Sequence, residues 1–267
     1  MNRQQLIRHI FEKRSYLCVG LDSDIEKLPV GLPRNAEGVL AFNKAIIDAT
    51  RSYCVAYKIN TAFYESLGAA GWSVLEQTAA YIGNEHFIIA DAKRGDIGNT
   101  ADQYAKAFFK ALCFDAITVA PYMGADSVIP FLQHPGKWAI VLGLTSNPGA
   151  ADFELQPCGD QLLYEKVMQR VASWGSPENL MFVVGATQAA VMASIRKSYP
   201  DHFFLVPGVG AQGGSLEEVS RNALSPEVGL LVNVSRAIIF ASPNSDFAEK
   251  AAAEALRYQQ QMAALLG

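Results

Sequence analysis

Hydropathy along the chain alternates between two periods. Eight short apolar runs, at 16–21, 54–59, 87–90, 116–119, 138–143, 180–184, 203–206 and 229–234, recur at intervals of roughly 20 to 40 residues. That is the distance a strand needs to return to a parallel neighbour through a helical crossover. Between the runs lie amphipathic stretches with helical spacing, among them 36–50, 61–82, 100–112, 162–173 and 188–198. The strand candidates are almost continuously apolar rather than alternating, the pattern of a parallel sheet covered by helices. Eight such units predict a closed (β/α)8 TIM barrel, because an open doubly wound sheet more often stops at five to seven strands. The longest interval follows the fifth run and contains Thr145-Ser146-Asn147-Pro148-Gly149. An extended loop is expected there, on the barrel face where such folds keep their active sites.

Length and charge narrow this picture. The 267 residues match the roughly 250 of one (β/α)8 barrel, and no low-complexity linker or charge block divides them, so residues 1–267 are expected to form a single domain. Half of the residues are hydrophobic and 18% are charged, a globular composition. A formal net charge of −4 gives no general attraction to nucleic acid or to anionic membranes. An anionic ligand therefore needs a local cluster of cations and amides. Cys18, Cys54, Cys113 and Cys158 are scattered without a metal spacing, and the first three are expected to be reduced core residues. With no signal-like start and no apolar run of ~18 residues, a cytoplasmic location is expected.

The chemistry is concentrated where apolar runs end in polar residues. The first run ends in Asp22, the second in Lys58 and Asn60, the third in Asp91 and Lys93. Each alone would be a turn, a cap or a solvated charge. Together, on three adjacent strands of a barrel, they converge on one rim. Side chains two apart on a strand face the same way, about 6–7 Å apart, so Asp91 and Lys93 are expected to enter one pocket, with Gly95 turning the chain and Asp96 leaving the strand direction. A lysine held between carboxylates stays protonated, which suits it to stabilising a carbanion and delivering a proton, not to forming a Schiff base. A purely structural ion-pair network is the competing explanation of the same spacing. His9, His86, His134 and His202 fall on helices or loop edges and are not expected to be catalytic.

A second cluster follows the last two runs. Pro207-Gly208-Val209-Gly210-Ala211-Gln212-Gly213-Gly214 precedes a helix expected to begin near Ser215, and Asn233-Val234-Ser235-Arg236 closes the eighth run. Loops after strands seven and eight form the usual phosphate site of barrels, and Arg236 can give a charge-assisted, bidentate contact to a phosphoryl group. The ligand is expected to carry a phosphate.

Asp91-x-Lys93-x-x-Asp96, with Ile97 and Thr100 behind it, closely resembles the signature of the orotidine 5′-phosphate decarboxylases. Leu21-Asp22, Lys58, Ser146-Asn147-Pro148-Gly149, the 207–214 segment and Arg236 follow in that family's order, so the resemblance spans essentially the whole chain. Thr118-Val119-Ala120-Pro121-Tyr122-Met123-Gly124 with Thr145-Ser146-Asn147-Pro148 is similar to the longer bacterial (type 2) branch. Ala120 departs from the Asn expected there, at a position that is not catalytic.

The resemblance implies roles. Lys93 would stabilise a carbanion at C6 of the pyrimidine and protonate it, with Asp91 beside the substrate carboxylate. Lys58 and Asp22 would bind ribose hydroxyls, Lys58 also completing the charged array. Asp96, Ile97 and Thr100 would reach the neighbouring site of a homodimer. Ser146 would bind the pyrimidine, and Pro207, Gln212 and Arg236 would line the phosphate end, with Gln212 on a loop that closes over the ligand. No cofactor and no metal are implied. Two alternatives remain: a Mg2+-dependent sugar-phosphate aldolase or decarboxylase of the same wider barrel group, for which strands four to eight offer no further carboxylates, and a non-catalytic nucleotide-binding barrel.

Overall fold

The computed structural model describes residues 1–210 and 213–267. Eight parallel strands close into a barrel: β1 (Leu17–Gly20), β2 (Ala56–Asn60), β3 (Phe87–Arg94), β4 (Ala116–Val119), β5 (Trp138–Leu144), β6 (Leu180–Val184), β7 (Phe203–Pro207) and β8 (Leu230–Val234). Each pairs with the next in sequence, and β8 pairs with β1 through Leu17↔Val232 and Val19↔Val234. Every residue of β1, β4, β6 and β8 is buried. Side chains face the barrel interior on one side and the helical ring on the other, which is why these strands read as unbroken apolar runs.

The helices lie between the strands, as the period-3.6 segments predict. Ala36–Thr50 coincides with its expected span, started by Asn35, whose Oδ1 accepts from the Gly38 amide at 3.0 Å. The stretch at 61–82 is not one helix but two, Ala62–Glu65 and Gly68–Ile82. The break is at Gly68, whose φ of 63° lies in the left-handed region that only glycine enters freely. The next segment begins earlier than expected, as Gly98–Lys106, and continues as a wider π-turn over Ala107–Ala111. The long interval after β5 holds a 3-10 turn (Pro148–Asp152) and a small antiparallel hairpin of Pro157–Cys158 with Gln161–Leu162. Two-residue strands are too short to leave a periodic signal.

Cys18 and Cys54 are buried free thiols, as expected, but Cys113 is exposed. It has φ 60° just past the π-turn, and its side chain faces outward while that of the adjoining Phe114 is buried. Among the described residues, no helix is long and apolar enough to cross a membrane.

Candidate active site

The strand register assembles the charges. Lys58 lies opposite Gly20 on β1, and Asn60 lies opposite Asp91 on β3, so the C-terminal ends of the first three strands come level. Lys58 Nζ is 2.9 Å from Asp91 Oδ2 and 3.2 Å from Asp22 Oδ1, and Lys93 Nζ is 2.6 Å from Asp91 Oδ1. The result is a line of alternating charge, Asp22–Lys58–Asp91–Lys93. Lys58 is almost wholly buried, while the Lys93 side chain is 49% exposed. The inner members fix the array and the outer lysine faces the space where a ligand would sit.

Burial and charge pull against each other here, and charge wins. Burial alone would lower the Lys58 ammonium, but Asp91 and then Asp22 raise it above the ordinary lysine value. Burial alone would raise the Asp91 carboxyl, but Lys58 and Lys93 hold it well below the usual carboxylate range. Both groups are charged at neutral pH.

Asp91 and Lys93 do meet in one pocket, but not through simple strand alternation. The ladder between β3 and β4 is regular to Ala90↔Ile117 and resumes at Arg94↔Val119. Three residues of β3 therefore face the single Thr118 of β4, a bulge. Lys93 sits in it with φ 45°, donating its amide to Thr118 Oγ1 at 2.9 Å. The turn expected at Gly95 is made instead by Lys93 and by Gly98, whose φ is 52°; Gly95 is outside the left-handed region.

The array opens into a cavity of about 230 Å³. Asp22, Lys58, Asn60, Asp91 and Lys93 line one side; Pro207, Gly208, Val209, Asn233, Ser235 and Arg236 line the other, above Val183 and Leu205. The site thus spans the barrel mouth from β1–β3 to β7–β8. Arg236 is exposed and, among the described residues, pairs with no carboxylate. It begins the short helix Arg236–Ile239. The glycine-rich segment offers fewer free amides than expected, because Gly210, Gly213 and Gly214 donate to carbonyls within the loop itself.

A family model described as "Orotidine 5'-phosphate decarboxylase / HUMPS family" matches residues 15–251. The chain belongs to this family. A relative from Christiangramia forsetii named orotidine 5'-phosphate decarboxylase is 56% identical over 269 residues, covering 100% of this chain and 99% of its own. Another of that name, from Phocaeicola vulgatus, is 54% identical over 266 residues and 98% of each chain. Among solved structures, the OMP decarboxylase of Leishmania donovani superposes with a TM-score of 0.87 at 36% identity, over 100% of this chain and 99% of that one.

Of the residues to which the family resemblance gives roles, Asp22, Lys58, Asp91, Lys93, Pro207 and Arg236 line the one cavity. Four others stand apart from it. Asp96 is partly exposed, its Oδ1 accepting from the Ile97 amide, and Ile97 and Thr100 face outward. Ser146 lies beyond β5, its Oγ buried and, among the described residues, without a hydrogen-bond partner. It packs against Gly185 at the end of β6, where even a methyl group would collide with the hydroxyl. Gln212 lies outside the described residues. The family resemblance gives no role to Asn60, Thr118, Asn233 or Ser235, although Asn60, already placed on the rim by its position at a strand end, lines the cavity with Asn233 and Ser235. The signal for Thr118 and Asn233 is a polar side chain kept inside an otherwise apolar barrel strand.

Proposed function

We propose that the chain decarboxylates orotidine 5′-monophosphate to uridine 5′-monophosphate and CO2, as one catalytic domain, without a cofactor, in pyrimidine synthesis. The observation that supports it best is the Asp22–Lys58–Asp91–Lys93 line placed across one small cavity from Arg236. This polarity suits a ligand with an anionic phosphoryl group at one end and a reacting carbon at the other.

The C6–carboxylate bond breaks with its electron pair left on C6, CO2 departs, and Lys93 Nζ transfers a proton to C6. Lys93 acts first as the cation that offsets the developing charge and then as the acid. Asp91 lies beside the substrate carboxylate and aims Lys93. Asp22 and Lys58 hold ribose hydroxyls. Arg236, with Pro207 and Gln212, takes the phosphate end, and closure over the phosphate assembles the site. Ser146, whose hydroxyl has no hydrogen-bond partner among the described residues, binds the pyrimidine.

The outward placement of Asp96, Ile97 and Thr100 supports a homodimer in which they complete the neighbour's site. Sedimentation at working concentration checks it; an active enzyme that stays monomeric removes that assignment. A cytoplasmic location accords with a small-molecule metabolic reaction. The direct test is loss of the substrate's absorbance on decarboxylation. Lys93→Ala is expected to lower kcat by at least about 10³-fold, and unchanged turnover would show the mechanism to be wrong. Full activity after exhaustive chelation would separate this reaction from that of a Mg2+-dependent aldolase.

A further inference from the structure

We propose that Thr118 is a positioning residue for this decarboxylation, holding Asp91 and the Lys93 main chain in a single arrangement. The proposal rests on the decarboxylase reading above and goes beyond it, since Thr118 is not among the residues that line the cavity.

Three observations meet at this side chain. Thr118 is 1% exposed, on the strand that faces the β3 bulge. Its Oγ1 accepts from the Lys93 amide at 2.9 Å and lies 3.0 Å from Asp91 Oδ1. Lys93 has φ 45°, a conformation disfavoured for a residue with a side chain.

The chemistry of the three groups fixes the direction of both bonds. An amide can only donate, so the hydroxyl oxygen accepts from Lys93. Asp91 is ionised and can only accept, so the hydroxyl proton points to its Oδ1. The relay therefore runs from the Lys93 N–H through Thr118 O–H to the Asp91 carboxylate and has no equivalent reversed form. It ties the lysine's backbone to the carboxylate that its own ammonium touches at 2.6 Å.

This matters at one step of the reaction. Asp91 Oδ1 is shared by Lys93 Nζ and Thr118 Oγ1, and Oδ2 takes Lys58. When Lys93 gives its proton to C6, its attraction for Asp91 weakens. Thr118 and Lys58 then keep the carboxylate in place, and Thr118 also keeps the main chain of the departing lysine in register. A hydroxyl does this without adding a net charge beside the substrate.

Thr118→Val removes the hydroxyl at nearly constant shape, and Thr118→Ser keeps it. Thr118→Val is expected to lower kcat roughly tenfold to a hundredfold, the range of a hydrogen bond to a charged group. Uridine 5′-monophosphate, which has no carboxylate to set against Asp91, is expected to bind the variant with a Kd within about twofold of the original. Thr118→Ser is expected to retain kcat within about threefold. Should the valine variant not fold, Thr118→Ala removes the same hydroxyl without adding a methyl group and reads the same loss. The proposal is overturned if the hydroxyl-free variant keeps its kcat, if serine rescues nothing, or if product affinity falls in step with kcat. No turnover by the unsubstituted protein overturns the decarboxylase reading and this one together; turnover that ignores the loss of the hydroxyl overturns this one alone.

Discussion

The barrel buries cations at both ends, and it treats them in opposite ways. At the mouth, Lys58 lies between two carboxylates, and its ammonium is raised above the ordinary lysine value because Asp91 and Asp22 outweigh burial. At the foot, Lys13 donates to the carbonyls of Cys54, at 2.9 Å, and Arg51, and its Nζ lies 2.9 Å from His86 Nε2. Arg196 donates to five carbonyls, those of Tyr199, Pro200, His202, Ala223 and Gly229, and lies 3.8 Å above the Phe204 ring. Among the described residues Lys13 and Arg196 are in no salt bridge, unlike Arg3, which pairs with Glu227. Burial lowers Lys13, and burial lowers Arg196 to about 10. Neutral dipoles hold Lys13 and Arg196, and these two cations tie loops and helix ends together. The mouth collects full charges of both signs, so its cations are held ready for something that arrives.

The widest separation between the two ends is expected in activity. Lys58→Met at the mouth should cut kcat/KM by on the order of 10³-fold, read from steady-state decarboxylation. A near-normal value would mean that the mouth array, like the foot, only fixes strand ends. Arg196→Met at the foot should do the reverse. Five carbonyls lose a charged donor, so stability should fall by about 3 kcal/mol in denaturant titration, with kcat/KM unchanged wherever the protein is folded.

Acid should also distinguish the ends. Burial, with Lys13 nearby, lowers His86 to about 4, below the ~6.5 of an unfolded chain. The unfolded state therefore takes up the proton first, and this contribution is complete above about 6.5 and lost as pH falls from there to about 4. The Asp91 contribution has the carboxylate sign: its depressed value keeps it intact above about 4, and only stronger acid removes it. Lys58, raised, keeps its contribution until the pH climbs past ~10.4. Burial lowers His202 to about 4 as well, so thermal unfolding between pH 7 and 4.5 should show a loss on the order of 1–3 kcal/mol for each of these two histidines, and His86→Gln should remove about half of it. An undiminished slope in that variant would place the titration elsewhere. The smallest effect is expected for Lys13→Met, about 1 kcal/mol of stability with no change in kcat, checked by the same denaturant and rate measurements.

All eight barrel strands are legible as apolar runs, because both faces of each are covered and no polar alternation interrupts them. The charged line is legible too, since Asp22, Lys58, Asp91 and Lys93 each end such a run. The bulge is not. Regular strand spacing already brings Asp91 and Lys93 to one side, so nothing in the residues between them signals that the chain departs from the ladder. Thr118 is marked only as a polar residue within an apolar strand, and its two partners come from the irregular pairing with β3, which the residues do not signal. The foot is illegible for another reason. Lys13, His86 and Arg196 bind carbonyl groups, and a carbonyl belongs to every residue, so no side-chain pattern marks its position. Cys113 shows the limit of local hydropathy, since it faces outward beside the buried Phe114.

The seam between β1 and β8 sets a timetable. Asp22 follows the first strand and Arg236 the last, and they share a cavity only because those two strands pair. During synthesis the first four strands can present Lys58, Asp91 and Lys93 to one another long before the half that carries Arg236 exists. Closing the seam joins positions more than two hundred residues apart, a long-range contact of the kind that slows folding. Until that closure the growing chain holds the line of alternating charge without Arg236 across from it, so the complete cavity arrives last and all at once.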